Sequence, residues 1–323
     1  MSTWFCGKKF LFPYPKDPFS GGAFLCGGNM LYSVSVKPER GRQDLLKRAY
    51  IEITDVCNLR CSFCPGTRRA AQFMEPAAFD RISEQLRGRV KYLYFHVMGE
   101  PLLHPQLREL LRAAGEKGFR LCLTTNGTLL EEAGALLLGE PALHKVSVSL
   151  HSFEGSDCPG ELQPYLESVW GFAVRAAERG VIVALRLWNL GGREAKNGEI
   201  LDFLREKTGK ETWAEKRRGS FSLGENLYLE SAERFDWPDL RAPESGTEYC
   251  LGLREQLAVL VDGTVVPCCL DHEGDIALGN LLTQELDEIL ASPRAKALYE
   301  GFSRRESVEE LCRRCGYAAR FKL

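Results

Sequence analysis

From residue 50 onward the sequence alternates between short apolar runs and amphipathic helical patterns, and no other feature limits the possible folds as much. Strand-like runs stand at YIEITDV (50–56), YLYFHV (92–97), RLCLTTN (120–126), KVSVSLH (145–151) and VIVALRLW (181–188). Helical patterns cover 75–87, 105–117, 129–138, 164–179 and 198–207. In the second of these, Leu107, Leu110, Leu111 and Ala114 share one face. Strand–helix alternation of this kind predicts a parallel sheet with helices packed outside it. NLYLES (226–231) supplies a sixth strand. Such folds build their sites at the C-terminal ends of the strands.

The rhythm is bounded on both sides. Residues 1–45, with Pro13, Pro15, Pro18, Gly21, Gly22, Gly27 and Gly28, read as an irregular N-terminal extension. Residues 46–240 form the main α/β domain. Residues 241–323 hold turns, a hairpin-like stretch (LAVLVDGTVVPCC) and two helical patterns, and read as a second, smaller domain. No apolar run reaches the roughly 18 residues needed to span a bilayer, and the N-terminus lacks the apolar core of a signal peptide. The expected location is therefore cytoplasmic, with no membrane partner. In a reducing compartment, disulfides are a poor account of the 12 cysteines, and metal binding or catalysis is the better one. The net charge of −2 disfavours a large nucleic-acid footprint. A local basic patch remains at Lys216, Arg217 and Arg218.

Three cysteines, Cys57, Cys61 and Cys64, follow directly on the first strand in CNLRCSFCPG. Three thiolates can hold three irons of a cubane [4Fe–4S] cluster and leave the fourth iron open to a substrate or cofactor. A structural zinc would need a fourth close ligand, and the nearest histidine in sequence is His96.

This CxxxCxxC pattern, with Phe63 before the third cysteine, resembles the radical SAM superfamily. VMGEP after the second strand is similar to that family's GGEP motif, TTNGTLL to its TNG segment, and VSVSLHSFEG to its SLDG segment. The resemblance spans about residues 48–230 and implies a partial (β/α)6 TIM-like barrel. It implies that Gly99, Glu100 and Pro101 bind the amino group of S-adenosylmethionine, and that Phe63, Asn126 and Ser149 attend the same cofactor. Gly99 allows close backbone approach, and Glu100 offers a carboxylate to an ammonium group. By period 2, Ser147, Ser149 and His151 share one strand face, with Val146, Val148 and Leu150 on the other. His151 stands where relatives often carry Asp, and is a candidate catalytic acid or base or a hydrogen-bonding histidine. Arg186 and Asn189 end the fifth strand as candidate contacts to cofactor or substrate.

The later cysteines read Cys250, Gly263, Cys268 and then CRRC, with Cys312 and Cys315. The spacing Cys–x12–Gly–x4–Cys resembles the opening of a SPASM domain. Without its further cysteines, the match is to the shortened, twitch form with one auxiliary [4Fe–4S] cluster on four cysteines. A four-cysteine zinc site is the alternative. Ser307 and Glu310 form a capping-box pattern, which predicts a helix with Cys312 and Cys315 on one face. Asp262–Gly263 predicts a tight turn that brings Cys268 back toward Cys250. Cys269 is expected to point away, Cys122 to be a small core residue, and Cys6, Cys26 and Cys158 have no assigned role.

The resemblance implies reductive cleavage of S-adenosylmethionine to a 5′-deoxyadenosyl radical, which takes a hydrogen atom from substrate. An external donor such as flavodoxin or ferredoxin would supply the electron. An auxiliary cluster with four cysteines is coordinatively full but can accept an electron. The expected reaction is then a two-electron oxidation of a small molecule, of the dehydrogenase type. Modification of a peptide, modification of a tRNA or nucleobase, and a non-catalytic iron–sulfur electron carrier are the other readings. Phe235 and Trp237 are expected in the core, or as pocket lining.

Overall fold

The sheet runs through nearly the whole of the described chain. The computed structural model describes residues 46–156 and 160–321. The expected extension 1–45, with Cys6 and Cys26, lies outside the described residues, as does Cys158. Strands β1 (Arg48–Ile51), β2 (Tyr92–Phe95), β3 (Arg120–Thr125), β4 (Leu143–Ser149), β5 (Ile182–Leu190) and β8 (Leu227–Glu233) lie side by side in chain order, every neighbour parallel. Helices α1 (Pro76–Leu86), α2 (Leu107–Glu116), α3 (Leu130–Leu138), α4 (Ser152–Gly155), α5 (Leu162–Glu178) and α6 (Asn197–Thr208) fall between these strands. Six parallel strands in sequential order form the expected open, partial barrel.

The two faces of the sheet differ as the alternation predicts. Val146 and Val148 of β4 are fully buried and join a core with Phe79 of α1, Leu110 and Leu111 of α2, and Phe172 of α5. Helix α2 buries Leu107, Leu110, Leu111 and Ala114, the face its sequence marks. The other face is polar: Ser149, His96, Arg186 and Glu230 line a cavity.

Two features depart from the sequence reading. Strands β6 (Ala214–Arg217) and β7 (Ser220–Gly224) add an antiparallel meander to β8, where no strand is expected. Every residue of β6 is exposed, so it carries no apolar period. At the opposite edge, β9 (Gln256–Val259) pairs in parallel with β1, and β10 (Thr264–Val266) and β11 (Gly279–Asn280) follow antiparallel. The sheet therefore runs without interruption from the barrel into the C-terminal segment. The Asp262–Gly263 turn forms as predicted, with Gly263 at φ +87° and Asp262 Oδ1 accepting from Thr264 N at 3.0 Å. Helices α7 (Leu286–Ala291), α8 (Pro293–Ser303) and α9 (Glu310–Arg313) complete the chain. Among the described residues, no helix is long and apolar enough to cross a membrane.

Candidate functional site

Beyond β1 the chain still pairs at Glu52, whose N–H donates to Val259 O at 2.9 Å, and then turns at Thr54. Thr54 Oγ1 accepts from Val56 N at 3.0 Å, a local bond that turns the chain. The loop carrying Cys57, Cys61 and Cys64 follows. It is pinned to the end of β3, where Asn126 Nδ2 donates to Asn58 Oδ1 at 2.9 Å and Asn58 Nδ2 donates to Thr128 Oγ1 at 2.8 Å. It is pinned to α4 by Ser62 N donating to Gly155 O at 2.7 Å. Phe63 packs its ring 4.8 Å from that of His151. Cys57 and Cys64 are exposed and Cys61 is half-buried.

Gly99 can only be glycine. Its φ is +74°, and a Cβ would lie 2.4 Å from Thr54 O. Glu100 is buried, with Oε1 accepting from Leu102 N at 3.1 Å and Thr125 Oγ1 at 2.8 Å, and Oε2 accepting from Asn126 N at 2.7 Å. Burial pushes its carboxyl up to about 7, against those hydrogen bonds. Glu100 thus ties β2 to β3, and three of its roughly four acceptor positions are used. Pro101 opens a short 3-10 turn and is buried.

Ser149 and Arg186 are register partners across β4 and β5, and both line the cavity. His151 is buried, its Nδ1 3.0 Å from Arg186 O. Burial lowers its pKa to about 4, so at neutral pH it is an uncharged hydrogen-bonding group beside the Cys57–Cys64 loop. Asn189 is turned elsewhere: its Nδ2 donates to Arg193 O at 2.6 Å and Asn197 Oδ1 at 3.0 Å. Cys122 is buried as expected, though its neighbour is polar: burial raises its thiol to about 11 while a hydrogen bond with Tyr94 lowers it.

The second set of thiols converges through the segment 245–250. Ser245 Oγ donates to Arg313 O at 2.9 Å and to Cys315 O at 3.1 Å, and Thr247 Oγ1 donates to Cys315 O at 3.3 Å. Gly252 N donates to Cys250 Sγ at 3.4 Å. The capping box expected at Ser307 is absent. Helix α9 starts after Glu309, whose carboxylate is engaged by Arg294 at 2.7 Å, and Ser307 Oγ is buried without a partner among the described residues. Cys315 lies past the helix in a turn, its N–H donating to Cys312 O at 3.3 Å. Cys268 and Cys269 also sit in a turn beyond β10, so strand alternation does not separate them. Cys269 meets the Tyr50 hydroxyl and lines the same cavity.

All seven cysteines of the two sets open on one cavity of about 920 Å³. Phe235 and Trp237 line it too, their rings 5.5 Å apart. Burial pushes the Cys268 and Cys312 thiols well above their ordinary range, and neighbouring thiols of the same set add to it. Among the described residues no group of three or more His, Cys, Asp or Glu side chains is arranged to hold a single metal ion. The donor chemistry suits iron–sulfur clusters: thiols alone, three at an open face and four enclosed, which bound iron would hold as thiolates.

Comparison with known families decides the classification. Residues 51–180 match the radical SAM superfamily, and residues 250–316 match the SPASM iron–sulfur cluster-binding domain.

The chain carries a radical SAM domain and a SPASM domain.

These two domains imply a [4Fe–4S] cluster that binds S-adenosylmethionine and an auxiliary cluster. It is 33% identical over 109 residues to the cofactor-modifying protein of tungsten-containing aldehyde ferredoxin oxidoreductase from Pyrococcus furiosus, covering 32% of this chain and 31% of that one. It is 32% identical over 170 residues to GTP 3′,8-cyclase of Aquifex aeolicus, covering 50% and 52%. The match thus spans about a third to a half of these curated relatives. Two solved structures share the fold. Native anSMEcpe with bound AdoMet superposes with TM-score 0.56 at 15% identity, over 84% of this chain and 90% of that one. BtrN in complex with AdoMet and 2-DOIA gives 0.50 at 19%, over 84% and 93%.

Sequence reasoning missed Lys145, Arg217 and Glu230 in the cavity wall. Period 2 counted back from Ser149 leads to Lys145, which was the available signal. It also missed Arg69, whose Nη2 donates to the fully buried Glu52 at 2.7 Å.

Proposed function

We propose that this protein cleaves S-adenosylmethionine reductively and uses the resulting radical to begin a two-electron oxidation of a small molecule. The observation that carries this reading is the single cavity onto which both cysteine sets open. When bound, the clusters supply the electron that splits S-adenosylmethionine to methionine and a 5′-deoxyadenosyl radical, and accept the electron lost by the substrate after hydrogen-atom abstraction. Cys57, Cys61 and Cys64 would hold the first cluster, and Cys250, Cys268, Cys312 and Cys315 the second. The chain's own residues position and shield. Gly99, packed on the Thr54 and Val56 carbonyls, makes the turn that places Glu100, and Glu100, with an acceptor position left, receives an N–H from the cofactor's amino end. Ser149 and Asn126 lie at the strand ends where its remaining polar groups would rest. Phe63 and His151 form an uncharged wall that keeps water from the radical. Hydrogen-atom loss, then electron loss with release of a proton, sums to a two-electron oxidation. An external flavodoxin or ferredoxin is the proposed donor.

Iron and acid-labile sulfide per chain test the assignment after anaerobic reconstitution. About eight irons in the parent should fall to about four in a Cys57, Cys61, Cys64→Ala triple variant. A fall from about four to none would remove the second cluster and the support for oxidation. 5′-Deoxyadenosine should form on reduction with S-adenosylmethionine, and a redox-neutral product would refute the reaction type.

A further inference from the structure

Strands β4, β5, β6 and β8 contribute to the cavity wall a charge cluster that neither cysteine set uses. Glu230 Oε1 accepts from Lys145 Nζ at 3.3 Å and from Arg217 Nη2 at 3.0 Å, and its Oε2 accepts from Arg186 Nε at 3.2 Å. One carboxylate therefore answers three cations, and all four groups line the cavity. The side chains of Lys145, Arg186 and Glu230 are only 19%, 13% and 10% exposed, while Arg217, at 72%, stands toward solvent. The Arg186 guanidinium lies 4.4 Å over the Trp188 ring, which fixes its plane, and only its Nε is engaged among the described residues.

Across the whole lining, among the described residues, six Lys and Arg side chains stand against four Asp and Glu, and the three acids outside the cluster bond elsewhere. Asp55 accepts from Gln72 N, Glu100 is held by its three donors, and Asp271 accepts from Asp275 N and Ile276 N. His96 lines the same cavity, and its Nδ1 is buried with no partner among the described residues. Burial, and then the charge of Arg186, keeps its imidazole neutral, free to hydrogen-bond without adding charge. Cations gathered in a poorly hydrated wall beyond what one carboxylate offsets carry a standing desolvation cost. A doubly charged oxyanion would remove it and would find oriented N–H donors.

We propose that the substrate carries a dianionic group of the phosphate-ester type, seated against Lys145, Arg186 and Arg217 with His96 as a neutral hydrogen-bond partner. The inference rests on the radical reading above for calling the ligand a substrate. Arg186 is the register partner of Ser149, so an anion held there would anchor the substrate beside the strand ends proposed for S-adenosylmethionine.

Equilibrium dialysis of the cluster-reconstituted protein against labelled inorganic phosphate, with S-adenosylmethionine saturating, tests the site. A single phosphate should bind per chain, and acetate should compete far more weakly. Lys145→Met and Arg217→Met should each weaken binding by about tenfold or more. Arg217 is exposed enough that its variant leaves the core intact, and retained binding of labelled S-adenosylmethionine checks the fold of both. Absence of phosphate binding would overturn the proposal. Binding that both variants leave unchanged would mark an adventitious ion only. Loss of binding when S-adenosylmethionine saturates would reassign the cluster to that cofactor's carboxylate, and equal competition by acetate would exclude the dianion. 5′-Deoxyadenosine is measured in the same samples. If it forms while phosphate fails to bind, the anion site falls and the radical reading stands; if phosphate binds and it does not form, the reverse holds.

Discussion

Replacing Arg69 with methionine should loosen both cysteine sites at once. Arg69 follows the Cys57–Cys64 loop, and its Nη2 donates to Glu52 Oε1 at 2.7 Å while its Nε donates to His272 O at 2.9 Å. Glu52 has no exposed surface and, among the described residues, otherwise accepts only from Met98 N at 3.2 Å and Val261 N at 3.0 Å. The variant leaves a buried carboxylate with two amide donors and no counter-charge, a loss of about 3–5 kcal/mol. Burial already holds the Glu52 carboxyl above its ordinary range despite Arg69, so the variant raises it further. Protonation then limits the damage, which places the loss at pH 7 near the lower end, ~3 kcal/mol, and makes it smaller at pH 5. The neighbouring Arg68 is the control. Its side chain is 83% exposed and 3.5 Å from Glu273, so Arg68→Met should cost about 0–1 kcal/mol. Urea unfolding of the anaerobically reconstituted proteins, followed by tryptophan fluorescence, separates the two. An Arg69→Met midpoint matching that of Arg68→Met would refute the argument.

Gly99→Ala should cost about 3 kcal/mol and abolish S-adenosylmethionine binding in equilibrium dialysis, because its Cβ meets Thr54 O in a left-handed backbone. His96, with a folded pKa lowered to about 3 chiefly by burial, takes up a proton more readily in the unfolded chain. Stability should therefore fall as pH drops below 6.5, by about 2 kcal/mol between pH 7 and 5, and His96→Gln should remove that part of the slope in urea titrations. Cys269→Ala should leave the iron count at about eight, since Cys269 is outside the proposed ligand set, whereas Cys268→Ala should lower it toward about four.

Much of this architecture is legible because its causes are local. The α2 stripe of Leu107, Leu110, Leu111 and Ala114 and the alternation of β4 follow from periods of 3.6 and 2. The three-thiol loop and MGEP are read from contiguous residues. What escapes is set by distant partners. Strand β6 exists because β7 pairs with it, and its AEKR sequence has no face to bury. The pairing of β9 with β1 joins segments that no periodic pattern connects. Ser307 has the right neighbour for a cap, but Arg294 draws Glu309 into place and moves the helix start. Lys145 and Glu230 are legible as inward-facing residues, yet their convergence with Arg186 and Arg217 depends on strand register.

The position of β1 between β2 and β9 has a consequence for the protein's synthesis. Glu52, one residue past β1, accepts from Val261 N, 209 positions later in the chain. At about 5–20 residues per second, the free edge of β1 waits some 10–40 s after emergence for its last neighbour. Through that interval the strand that leads into the Cys57–Cys64 loop has bare amides along one side, open to pairing with another chain. Amounts of active protein should then respond to translation speed and chaperone supply more than its final stability suggests, even though the anchors of the loop itself, at Asn126 and Gly155, are made long before residue 261.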